Sequence, residues 1–81
     1  MQKLRPDMDI GINIKYLRNR MHLTQDQVVA KMNLLGLNIS GSTYAKIETN
    51  RMNIRVSELV ALSAILEADY NEFFKNLKKI R

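Results

Sequence analysis

The middle of this chain carries two short segments, each opened by a hydroxyl side chain and each closed by a residue that accepts left-handed backbone. They span Thr24 to Glu48, TQDQVVAKMNLLGLNISGSTYAKIE. Thr24 suits an N-cap, with Gln25 and Asp26 filling the first turn behind it. Val28, Val29, Met32 and Leu35 then fall on one apolar stripe, and Gly36 is a natural stop. The pattern predicts a helix over about residues 25–35. Ser40 is the second N-cap. Ile39 before it and Tyr44 after it have the spacing of a hydrophobic staple. Tyr44 and Ile47 share an inward face, and Asn50 suits the left-handed position that ends a helix, so a second helix is predicted over about 41–49. Its outer face holds Gly41, Ser42, Ala45, Lys46 and Thr49. A merely solvated helix would carry Glu and Lys there. Small polar side chains instead let the backbone approach a flat or grooved partner closely.

The flanks read as packing for this pair. Asp7 or Asp9 can cap a first helix, whose Ile10, Ile14, Leu17 and Met21 recur at helical spacing. Lys15 and Arg20 face solvent in this reading. A fourth helix is predicted from about Ser57, with Glu58 at its positive end and Leu59, Leu62, Ile65 and Leu66 as its buried stripe. Asp69 with Glu72 has the pattern of a capping box for a fifth. One of Phe73 and Phe74 should close the core. Phe73, Leu77 and Ile80, at helical spacing, are candidates for a dimer seam. Between the third and fourth helices, Met52 and Ile54 can tuck down while Arg51, Asn53 and Arg55 point out. The expected fold class is all-α, a compact five-helix bundle. Residues 1–8 form a basic arm with Lys3 and Arg5, residues 9–76 form the domain, and 77–81 form a basic tail.

Composition narrows the function. With 81 residues, one domain is the default. No cysteine is present, which removes disulfide scaffolds and thiolate metal sites and fits a reducing, cytoplasmic setting. The longest apolar run, Leu59 to Leu66, is too short to span a bilayer, and no charged-then-apolar leader opens the chain. No enzyme is expected. The one histidine, His22, has no second metal ligand at a useful spacing, the three glycines make no phosphate loop, and the carboxylates are scattered. No catalytic residue, metal or cofactor is therefore assigned. Tyr16, Tyr44 and Tyr70 are too dispersed to form an RNA-stacking platform. The net charge of +5 is compatible with ordinary solubility, and with attraction to a polyanion when joined to a two-helix reading unit.

An ordered set of residues resembles the Cro and phage-repressor type of helix-turn-helix protein. The set is Ile10-Gly11, Leu17-Arg18, Leu23-Thr24-Gln25, Ile39-Ser40 with Thr43, Lys46-Ile47-Glu48 and Arg51, continued by Leu59, Leu62, Leu66 and Phe73-Phe74. It covers about residues 9–75 at family-like spacing. The resemblance implies a lambda-repressor-like fold and a sequence-specific regulator of transcription, in the first instance a repressor. Such a protein binds double-stranded DNA, and because a single module of 81 residues buries little DNA, a homodimer on a palindromic site is the expected arrangement. The resemblance also implies that the helix after Ser40 lies in a groove of DNA. Ser42 and Lys46 are then the base-reading candidates, and Ala45 can meet a thymine methyl. Gly41, where the family frequently has a polar residue, has no side chain to read with but allows closer approach. Thr24, Gln25 and Thr49 match positions that hold phosphates. Arg51, Asn53 and Arg55 fall in the loop that the family lays along the DNA backbone, so they are candidate phosphate contacts or else simply solvated. Arg18 and Glu48 match a structural ion pair. His22 stands where the family usually has glycine, and His tolerates left-handed backbone better than most residues.

Besides His22 and Gly41, the chain departs from the family in two places. Val29 replaces a usual alanine between the helices. The connection Asn33–Ile39 is longer than the common turn and rich in leucine. Leu34, Leu35 and Leu37 are expected to be buried by an extra helical turn and a loop folded back on the core, or else to form a partner-binding patch. That patch, with the aromatic C-terminal helix, leaves open a second class of function. In it the same scaffold acts as a protein-binding module, for example an antitoxin that neutralises a toxin.

Overall fold

A computed structural model of the chain describes residues 9–75. Five helices follow in order: α1 Ile10–Arg20, α2 Gln25–Leu34, α3 Gly41–Glu48, α4 Val56–Ile65 and α5 Tyr70–Phe73. There is no strand among the described residues.

Local chemistry sets each boundary. The Asp9 carboxylate accepts from the Ile12 N–H at 3.1 Å and opens α1. His22, at φ 58°, turns the chain out of it. Thr24 and Gln27 cap α2 reciprocally, each side-chain oxygen accepting from the other residue's N–H, at 3.1 and 2.8 Å. Gly36, at φ 93°, ends that helix in a conformation costly for any residue with a Cβ. Ser40 accepts from the Thr43 N–H to open α3, and Asn50, at φ 61°, closes it. Glu58 and Glu72 each accept from the N–H of the residue before their helix, Arg55 and Asp69. Glu67, at φ 52°, is a left-handed residue that no sequence signal marked.

The packing order is α1 on α3, α3 on α2, α2 on α4, and α5 back on α1. Ile14, Leu17, Val28, Met32, Tyr44, Ile47, Leu62, Leu66 and Phe73 are fully buried where these faces meet. The inward stripes read from the sequence supply most of this core. Asn13 secures the last helix, its amide donating to the carbonyls of Phe73 and Lys75, both at 2.8 Å.

Three expectations are corrected. First, α2 gains no extra turn. It ends at Leu34, and of the three loop leucines only Leu37 packs against the core, while Leu34 and Leu35 are exposed. The turn is braced from within: the Asn33 amide donates to the carbonyls of Val29 and Ile39, and the Leu37 N–H to that of Met32. These bonds draw Leu37 and Ile39 inward and hold Leu34 and Leu35 out. Second, Phe73 closes the core completely, so it is unavailable to a dimer seam, and Phe74 is the exposed member of the pair. Leu77 and Ile80, with the arm 1–8 and the tail 77–81, lie outside the described residues. Third, Ile54 is buried in the core as expected, but Met52 stays exposed.

Gly11 is the tightest point of the fold. A Cβ at this position would sit 2.5 Å from the carbonyl oxygens of both Ile47 and Glu48. Only a residue without a side chain lets α1 come this close to the end of α3. Backbone cannot yield as a flexible side chain can, so Gly11→Ala is expected to lower the unfolding free energy by about 3 kcal/mol. Urea denaturation of the two proteins measures this directly.

Candidate nucleic-acid interface

The outward side of α3 is open. Gly41, Ser42, Lys46 and Thr49 are exposed and Ala45 is half-buried. Tyr44, Ile47 and Glu48 occupy the inward side. Thus the residues assigned to base reading share one accessible face. The Ser42 hydroxyl lies 3.3 Å from that of Ser40 at the helix start. A Cβ at Gly41 would meet only an Asp26 carboxylate oxygen at 4.0 Å, so the start of α3 passes beside the first turn of α2.

A buried network fixes the inward side. The guanidinium of Arg18 grips Glu48 with two bonds, Nε to Oε2 at 2.6 Å and Nη2 to Oε1 at 3.0 Å. Its third arm, Nη1, donates to the Leu23 carbonyl at 2.9 Å, in the turn between α1 and α2. The Tyr44 hydroxyl donates to Oε2 of Glu48, and the Gln25 amide to Oε1 at 2.9 Å. Each Glu48 oxygen therefore accepts twice, and among the described residues no buried side-chain nitrogen or oxygen lacks a partner. One carboxylate ties together α1, the start of α2 and the end of α3.

The network shifts its own protonation equilibria. Burial alone would raise the Glu48 pKa. The bonds from Arg18, Tyr44 and Gln25, with the Arg18 charge, outweigh burial and hold it below the ordinary glutamate value. Its bond to Glu48 raises the Arg18 pKa further. Burial, followed by the bond to Glu48, pushes the Tyr44 hydroxyl far up, so it stays a donor throughout the physiological range.

The residues assigned to phosphates divide into four groups. Thr24 is exposed, and its oxygen is used in the α2 cap. Gln25 donates to Glu48, and its amide carries a second N–H. The hydroxyl of Thr49 lies 3.1 and 3.2 Å from the carbonyls of Ala45 and Lys46 and accepts from Arg51 Nε at 3.0 Å, so here Thr49 steadies Arg51. Arg51, Asn53 and Arg55 are all exposed along the segment between α3 and α4. Lys15, read from sequence as solvent-facing, shares a shallow groove with Gln25 and Thr49. The signal that could have found it is Gly11: once α1 touches α3 there, the residue four positions on faces the same way.

The profile of the helix-turn-helix family HTH_3 matches residues 14–73. The chain belongs to this family. That membership supports a DNA-binding transcription regulator. Among solved structures the chain is similar to the HTH_3 family transcriptional regulator from Vibrio cholerae, with a TM-score of 0.68 and 24% identity over 84% of this chain. The match covers 35% of that protein, so this chain spans about a third of its length. At this identity the likeness speaks for the fold. No curated protein matches the chain. No helix among the described residues is long and apolar enough to cross a membrane.

The Glu48 network has a pH signature. A carboxyl whose pKa falls on folding adds stability above its unfolded pKa and loses it as pH drops through the folded value. Wild-type stability is therefore expected to decline below about pH 4.3, the ordinary glutamate value. Glu48→Gln removes the charge and turns an acceptor into a donor facing Arg18. It is expected to cost about 2–3 kcal/mol at neutral pH and to flatten this acid limb. Denaturant titrations from pH 3 to 7 on both proteins measure the two effects.

Proposed function

We propose that the chain is a sequence-specific regulator that binds duplex DNA as a homodimer on an inverted repeat and represses by occupying that site. The observation that supports this most is the divided character of α3. Its inner side is pinned by Glu48, and its outer side is small, polar and open.

In this reading α3 lies in the major groove, where every base pair shows its own pattern of donors and acceptors. Lys46 donates to guanine acceptors, Ser42 bonds to either partner of a pair, and Ala45 meets a thymine methyl group. Gly41 lets the start of the helix come close. Around this face stand the phosphate contacts: Thr24 and the second N–H of Gln25 at the start of α2, Lys15 beside them, and Arg51, Asn53 and Arg55 beyond α3. Thr49 contributes through Arg51. Phosphate contacts set register and affinity, and base contacts set sequence choice. One module covers little DNA. Two copies, with half-sites about one helical turn apart, give the affinity that a regulator needs.

Selection from random duplex DNA at two salt concentrations tests the proposal. An inverted-repeat motif retained at the higher salt is the expected result. Binding that enriches no motif and collapses as salt rises would reduce the interaction to electrostatic attraction. The division of labour predicts two distinct mutant phenotypes. Lys46→Ala is expected to relax discrimination at one base pair by about 1–3 kcal/mol. Arg51→Ala is expected to weaken all sequences alike and lower the salt slope by about one. Fluorescence anisotropy on the selected site and its single-base variants separates the two.

A further inference from the structure

Leu34 and Leu35 are 86% and 57% exposed. They do not stand alone. With Ala64 and Ile65 of α4 they line a groove of about 380 Å³, rimmed by Lys31 and Glu67. Val60, one turn back on α4, is also exposed. Single apolar side chains at a surface are ordinary, but a contiguous apolar patch marks an interaction site. The braced turn described above keeps the two leucines from folding inward.

The position of this groove narrows its use. The start of α2 holds Gln25 against Glu48 and Asp26 beside Gly41, so α3 lies across that end. The groove is at the other end of a ten-residue helix, about 15 Å away. It stays accessible while α3 is engaged. Its rim carries one cation and one anion, and among the described residues neither Lys31 nor Glu67 belongs to an ion pair. A rim with one charge of each sign suits a second copy of itself: under a two-fold axis Lys31 of one copy can pair with Glu67 of the other while the leucines pack between them.

We propose that the groove between the C-terminal ends of α2 and α4 is a self-association surface for a second copy of this chain, separate from the contact that would pair two copies on one operator. Copies joined here point their reading helices away from one another. The contact therefore links units bound to different DNA segments. A patch of a few side chains falls well short of the roughly 800 Å² per partner of a stable interface, so free copies associate weakly. DNA-bound copies held near one another gain from a high effective concentration. This linking role rests on the DNA-binding reading above; the self-association itself does not.

Sedimentation equilibrium without DNA, at low salt and up to millimolar protein, tests the contact. Wild type, Leu34→Glu, Lys31→Glu, Glu67→Lys and an equimolar mixture of the two charge variants are compared. Thermal melts confirm folding, which these surface positions should leave intact. Leu34→Glu is expected to weaken association about tenfold or more. Each charge variant alone is expected to weaken it about threefold. The mixture should recover the lost affinity, because each copy then supplies the charge that the other lacks. The proposal is overturned if wild type stays monomeric, if Leu34→Glu associates like wild type, or if the mixture is no tighter than either variant alone. Capture of a different protein through Leu34 by an otherwise monomeric chain would likewise assign the groove to another occupant. Binding to a short single-site duplex, expected to be the same for wild type and Leu34→Glu, reports on the DNA reading independently.

Discussion

The carboxylate of Glu48 is the point on which the geometry turns. It sits at the last residue of α3, below a face that must stay open, and it is held by donors from α1, α2 and α3 itself. An isolated buried charge would be prohibitive. A buried pair alone often adds little net stability, because desolvation offsets the attraction. What the four donors provide is definition. Arg18 arrives with a planar fork that fits a carboxylate in one orientation. The same guanidinium anchors the turn at Leu23, so the angle between α1 and α2 and the position of α3 are set by one group. Gly11 completes the arrangement by letting α1 rest directly on the carbonyls of Ile47 and Glu48. A network of this kind specifies where a helix lies more surely than it stabilises the protein, and a groove-reading helix requires the former.

Much of this was legible in the residues. The caps Asp9, Thr24 and Ser40, the left-handed positions His22, Gly36 and Asn50, and the inward stripes are local signals, and local signals survive without knowledge of the fold. The outer face of α3 followed from helical periodicity once its start was known. Apart from the Arg18–Glu48 pair, which the family resemblance supplied, what escaped was how the side chains meet inside the core. Tyr44 read as an apolar staple residue, although its hydroxyl meets Glu48 one turn on, a pairing that helical spacing allows but that only the burial of both residues makes decisive. Gln25 read as a phosphate ligand, although its amide also belongs to the buried network. Lys15 and Gly11 gain meaning only when α1 is laid against α3. The loop leucines failed for a different reason. Hydrophobicity predicts burial on average, but Asn33 spends its amide on two carbonyls and fixes a turn that leaves Leu34 and Leu35 outside.

That failure also separates the two ends of the molecule. The starts of α2 and α3 and the segment leading into α4 collect N–H groups and cations, which suit an anion. The far ends of α2 and α4 collect exposed leucines, an exposed alanine and one charge of each sign, which suit a protein surface. Such a division lets the two kinds of contact be made at once without competing for the same side chains. If the two proposed surfaces are used, changes at Leu34 or Glu67 alter assembly with no loss of base reading, because the buried network between the two ends takes its bonds from neither residue. The braced Asn33 turn is what makes this possible in so short a chain. A turn folded onto the core, as its leucine content alone would suggest, would have removed the second surface while leaving the first unchanged.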